Sequence, residues 1–141
     1  MRVGEIATRT ALIGMGVFTA VPVLAVFQPE QLGSYGISDP EPMVLTLLQH
    51  RGVFQFLAGI ALVWSAFRQD VRVPVAVGVI VSKSSAVALT ITRPDAQALV
   101  NPFIQAFDIA CVLVLAAIIA QTAVARRGST RGRTRVTEAA A

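Results

Sequence analysis

Residues 73 to 92 read VPVAVGVIVSKSSAVALTIT. A helix needs about 20 mostly apolar residues to cross a bilayer, and this run has that length. One cation, Lys83, sits close to its middle. A lysine at that depth costs at least ~2.5 kcal/mol on insertion scales, so it demands a partner or water. The neighbouring runs have to supply that partner.

Hydrophobic residues make up 55% of the 141-residue chain and charged ones only 14%; the mean hydropathy is +0.68. A soluble domain of this size carries nearer ~25% charged residues. The apolar residues are clumped into runs at Ala11–Phe27, Met43–Phe67 and Phe103–Ala125 beside the one already quoted. The expected fold class is therefore all-α, a membrane-spanning four-helix bundle threaded up-down-up-down. Its helices are expected at about 10–27, 43–67, 73–92 and 103–125, forming one domain over 1–125. Residues 126–141, RRGSTRGRTRVTEAAA, lack apolar periodicity and are expected to be a disordered basic tail.

The first run follows a short basic start with Arg2 and Arg9. A signal peptide has a similar layout, but no small-x-small cleavage site precedes Gln28, which favours a first transmembrane helix. Pro22 is expected to kink it, and Gly14 and Gly16 to admit a close neighbour. Gln28 to Pro42 is rich in glycine, proline and acid and reads as a loop. Ser38 and Glu41 have capping-box spacing, and Asp39-Pro40 places a cap before a first-turn proline. Arg68 to Arg72 reads as a tight connection, Arg93 to Pro102 as a polar one, and Asn101-Pro102 as another cap-plus-proline start.

With four helices threaded up and down, Arg2, Arg9, Arg68, Arg72 and arginines 126, 127, 131, 133 and 135 fall on one side, and Arg93 alone on the other. The positive-inside rule then expects a multi-pass protein of the cell membrane with both termini cytoplasmic. The net charge of +4 and pI near 10.6 do not point to nucleic acid. The cations sit at the ends of apolar runs, and no aromatic-plus-basic platform accompanies them. The tail arginines suit anionic lipid, at about 1 kcal/mol each close to the surface. One cysteine, Cys111, excludes an internal disulfide and a cysteine-based zinc site, and is most simply an apolar helix residue.

Polar residues inside the runs converge in depth. At ~1.5 Å per residue, Arg51 lies about 12 Å, Lys83 about 15 Å and Asp108 about 9 Å from the outer ends of their helices. Asp108 is the only acid placed in the hydrocarbon, so Arg51 and Lys83 compete for it. Gln55 shares a helix face with Arg51, and Gln105 shares one with Asp108. Arg51, Gln55, Lys83, Gln105 and Asp108 are thus the candidate polar cluster. Gly52, Gly59, Gly78, Ser82 and Ser85 are small residues suited to helix packing. Asp108 and His50 are the candidate catalytic groups by residue type. His50 has no second histidine or suitably spaced carboxylate, so no metal is expected, and no motif asks for a cofactor. The serines at 82, 84 and 85 lack a Gly-x-Ser-x-Gly frame.

Three functions stay open on these residues. The first is a non-enzymatic accessory or binding component with a buried polar cluster. The second is a membrane enzyme of isomerase or cyclase type, with Asp108 as acid or base on a lipophilic molecule. The third is an oligomeric transporter, since four helices make a narrow monomer. The expected partners are membrane lipid, a lipophilic small molecule and a second copy of the chain, and not nucleic acid.

HRGVFQFLAGIALVWSAF, from His50, leads through a short arginine-bearing turn into VPVAVGVIVSKSSAVAL, from Val73. This arrangement resembles small bacterial four-helix membrane proteins of the DoxX-like and DUF4345-like groups. The likeness is architectural over about residues 8 to 125 and concentrated in sequence over 49 to 92. It implies a fold and an inner-membrane location, and no reaction; no catalytic residue carries over. Asp108 in the fourth run and the long outer loop have no counterpart in the resemblance.

Overall fold

A computed structural model describes residues 3–138 apart from 36 and 38, and among them every regular element is helical. Helix α1 spans Val3–Ala20 and continues as a tighter 3-10 turn over Val21–Val26. A second 3-10 turn covers Pro29–Tyr35. Helix α2 is Pro42–Phe67, α3 Gln69–Ile91, α4 Pro94–Leu99 and α5 Pro102–Glu138.

The helix ends follow from local chemistry. Pro22 has no N–H to give to the preceding turn, and the chain tightens into 3-10 geometry there in place of the expected kink. Helix α2 starts two residues later than the Asp39-Pro40 reading. Asp39 holds φ of 53°, a left-handed conformation unsuited to an N-cap. Glu41 takes the cap position without a side-chain bond, and Pro42 is the first-turn proline. Ser38, the other half of the expected capping box, lies outside the described residues. At α5 the expectation holds: the Asn101 side-chain oxygen accepts from the Phe103 N–H at 2.9 Å.

Two connections are shorter than their sequence suggests. Arg68 alone, with extended φ −120° and ψ 97°, separates α2 from α3. Residues 69–72 therefore form the first turn of α3, and Pro74 sits inside the helix. Arg68 pairs with Asp70 at 2.9 Å, and that bond raises the guanidinium further above its ordinary range. The polar connection after α3 folds its middle into α4. Helix α5 does not stop at Ala125; its backbone is helical through the segment read as a tail, as far as Glu138. Extending an existing helix needs no new nucleus, and neither Gly128 nor Gly132 imposes a proline-like stop.

Among the described residues, three helical stretches are long and apolar enough to cross a membrane: Gly4–Val26, Gln69–Ile91 and Pro102–Ala125. Helix α2 has the length, with 26 residues, but Gln49, His50, Arg51 and Gln55 depress its hydropathy. The dry core is built by all four long helices, from Leu12 and Met15, Leu62 and Ala66, Ala76 and Val79, and Cys111, Leu115 and Ile118. Much of the remaining apolar surface faces outward, including Phe54, Leu57, Ile60, Trp64, Phe67, Val81 and Leu113. Monomers in water rarely expose so continuous an apolar coat, whereas lipid makes it inexpensive.

Candidate functional site

Packing is tightest where glycine removes side chains. Helix α1 with its 3-10 extension packs on α2, and α3 packs on α5. Gly16 faces the backbone of Gly59, and Gly52 faces the carbonyl of Pro22. Gly14 and Gly78, by contrast, have open space where a side chain would project. A further tie runs from the Gln49 amide to the Ala25 carbonyl at 3.3 Å. Ser85 donates to the carbonyl of Ser82 in its own helix, and both serines are exposed.

At the ends of α2 and the starts of α1 and α3, Arg72 forms a buried staple. Its guanidinium donates to both Glu5 carboxylate oxygens at 3.2 and 3.0 Å. It also donates to the carbonyls of Ser65 and Ala66 at 3.3 Å each. Those carbonyls belong to the last turn of α2, which has no helical donor left for them. Glu5 is held from its other side by Arg9 at 3.0 Å. Arg72, grouped above with the orienting charges, is therefore a three-helix contact. An acid and a base four apart at 5 and 9, ahead of the apolar run, are the only sequence sign of it.

The other half of the bundle is not filled by side chains. A cavity of about 270 Å³ there is lined by Arg51 and Gln55 from α2, Lys83 from α3, and Gln105 and Asp108 from α5. A second, of about 640 Å³, shares Arg51, Gln55, Lys83 and Asp108 with it and adds Arg93. Phe18, Leu48, Phe103 and Ile104 give the first cavity apolar walls. The ring of Phe18 lies 5.1 Å from that of Phe107 and 6.4 Å from that of Phe103, closing α1 against α5.

Between the two rivals for Asp108, the geometry selects Lys83. Its ammonium donates to Asp108 Oδ1 at 2.5 Å, with both side chains largely buried. The same ammonium lies 5.0 Å from the Phe107 ring centre, where the ring face adds attraction. Arg51 makes no hydrogen bond or ion pair among the described residues, although it borders both cavities. His50 points its function elsewhere: it is exposed, borders neither cavity, and meets Phe54 edge-on at 4.8 Å. Cys111 is buried in the core one turn beyond Asp108.

A polar wall residue of α1 escaped the sequence reading. Thr19 of α1 borders both cavities, is 4% exposed, and its hydroxyl has no hydrogen-bond partner among the described residues. Leu12, Met15 and Thr19 recur at helical spacing on one buried face, and that period was the available signal. Among the described residues no group of three His, Cys, Asp or Glu side chains is placed to hold a metal ion. No family model, curated protein or solved structure matches the chain.

Proposed function

We propose that the chain is a small integral membrane protein that spans the bilayer four times and acts as a binding component for a lipophilic small molecule. The observation that carries this reading is the shared cavity. Arg51, Gln55, Lys83, Gln105 and Asp108, from three helices, all border it, and its remaining walls are largely apolar. Small-molecule sites are mostly apolar hollows with a few convergent polar groups. Ionisable residues at membrane depth are rarely retained without a task.

An up-down-up-down threading with both termini cytoplasmic belongs to the same reading. It is supported by the one-residue link between α2 and α3, by the meeting of Glu5 with Arg72, and by the arginine distribution. In this threading α2 crosses despite its lower hydropathy, because two of its polar side chains, Arg51 and Gln55, border the cavity. The resemblance to DoxX-like and DUF4345-like proteins belongs to this proposal as well, on the His50–Phe67 and Val73–Leu89 stretches.

An acid–base enzyme of isomerase or cyclase type is the second reading. Asp108 at the cavity wall favours it, and the outward position of His50 removes its expected assistant.

The test is to purify the full chain from membranes in mild detergent, extract it with organic solvent and identify what is released by mass spectrometry. A defined apolar molecule, retained by the parent chain and lost from Ala86→Trp, is the expected result. Ala86 borders both cavities, so the indole would intrude into the space a ligand needs. A parent chain that carries nothing, and that no lipophile stabilises against heat, overturns the proposal.

A further inference from the structure

We infer that the cavity takes an amphiphile with a monoanionic head, gripped by Arg51 and completed by the hydroxyl of Thr19. This rests on the binding reading above and narrows the chemistry of the ligand.

The charge balance of the walls comes first. Lys83 and Asp108 satisfy each other. Arg51 is the remaining charge of the smaller cavity, so its wall is one cation in excess. The larger cavity adds Arg93, and its excess is greater. Arg51 is exposed in the isolated chain, and in the bilayer of the binding reading an arginine without a counter-ion is costly. A bound anion removes that cost, and the planar guanidinium matches the two oxygens of a carboxylate or phosphodiester.

The second observation is independent of charge. The Thr19 hydroxyl is buried without a partner, although threonine in a helix can usually reach a carbonyl one turn back. An orphaned buried hydroxyl has lost its water without gaining a partner, which is unfavourable. Thr19 forms part of the wall of both cavities, and its hydroxyl has staggered χ1 positions to choose between. An acceptor oxygen in the cavity relieves this orphan as well as Arg51. Gln55, on the same α2 face as Arg51, presents an amide to the same space. The apolar chain of the ligand lies along Phe18, Leu48, Phe103 and Ile104.

Two sources share this chemistry: a free long-chain carboxylic acid and the phosphodiester of an anionic phospholipid. A neutral lipophile does not share it. The experiment uses the purified full chain in neutral detergent and measures binding of radiolabelled palmitic acid. The competitors are unlabelled palmitic acid, methyl palmitate, phosphatidylglycerol and phosphatidylcholine.

Palmitic acid binding at least ~10-fold tighter than its methyl ester is the expected result, the size of one charge-assisted hydrogen bond lost. Arg51→Gln should erase that preference, and Thr19→Val should weaken the acid several-fold. Competition by phosphatidylglycerol but not phosphatidylcholine, with the same Arg51 dependence, assigns the site to phospholipid and keeps the inference. Equal binding of acid and ester, unaltered in Arg51→Gln, overturns the anionic head and leaves the lipophile reading intact. No binding of any of the four overturns the anionic acyl ligand, and the lipophile reading is then decided separately by the extraction experiment. The acid–ester comparison needs only the parent chain, so it decides the matter even where a variant fails to fold.

Discussion

Gly16 and Gly59 meet backbone to backbone: a Cβ on Gly59 would stand 2.5 Å from the Gly16 carbonyl oxygen, and one on Gly16 2.7 Å from that of Gly59. No rotamer relieves a clash with a carbonyl, so one of the two helices has to move. That pair sets the spacing of α1 and α2 in the half of the bundle that is solid. The same helices border the cavity in the other half.

Gly59→Ala is therefore expected to destabilise the protein by about 1–3 kcal/mol, the usual cost of overpacking a close contact. Gly14→Ala has open space and should leave stability unchanged or raise it, since alanine is favoured over glycine by about 0.8–1.0 kcal/mol in a helix. Thermal unfolding of the two variants in one detergent, followed by circular dichroism, checks the contrast.

The Arg72 staple makes a graded prediction. Arg72→Gln removes the Glu5 pair and both donors to the α2 carbonyls. Glu5→Gln keeps the carbonyl bonds and loses only the ionic partner. Arg72→Gln should then lower the melting temperature more than Glu5→Gln, which is expected to cost about 1–2 kcal/mol. Asp70→Asn, in the exposed pair with Arg68, should leave it where it was. Equal losses for Arg72→Gln and Asp70→Asn would show that burial of Arg72 contributes nothing.

Lys83 and Asp108 should behave as a unit. Removing one partner strands the other, which costs about 3–5 kcal/mol for a buried pair. Lys83→Met and Asp108→Leu alone are expected to unfold at lower temperature than the parent chain. The double variant Lys83→Met/Asp108→Leu should recover most of the loss. Single variants as heat-resistant as the parent would mean that the pair does not hold α3 against α5.

Threading is read with one cysteine at a time and a membrane-impermeant maleimide on intact cells. The native Cys111 is buried and serves as the unlabelled background. Glu30→Cys, ahead of α2, should be labelled from outside, and Asp70→Cys, in the α2–α3 turn, only after the membrane is broken. The reverse pattern would invert the protein, and labelling of both from outside would remove α2 from the membrane.

Composition and the long apolar runs were enough to read an all-helical chain with membrane-length segments, because a bilayer imposes its thickness directly on sequence. Asn101-Pro102 marked a helix start for an equally local reason, a side chain satisfying a nearby N–H. Helix ends read less well where neighbours intervene. The first turn of α3 reads as a connection in sequence because Gln69, Asp70 and Arg72 are polar. Arg72 is nonetheless buried, against Glu5, which lies 67 residues earlier in the chain.

The stretch from Val73 to Thr92 shows the same division. Its length and its single cation called for a helix of membrane-crossing length and a partner for Lys83, and one acid in the apolar runs made Asp108 the candidate. Whether Lys83 or Arg51 took that acid depended on how the faces of three helices turn toward one another. Helical periodicity within one run carries no information about rotation relative to another. The glycine contacts, the aromatic contacts of Phe18 and the Arg72 staple set those rotations. With them came the Lys83–Asp108 pair, the unpaired Arg51 and the buried hydroxyl of Thr19 beside a common cavity.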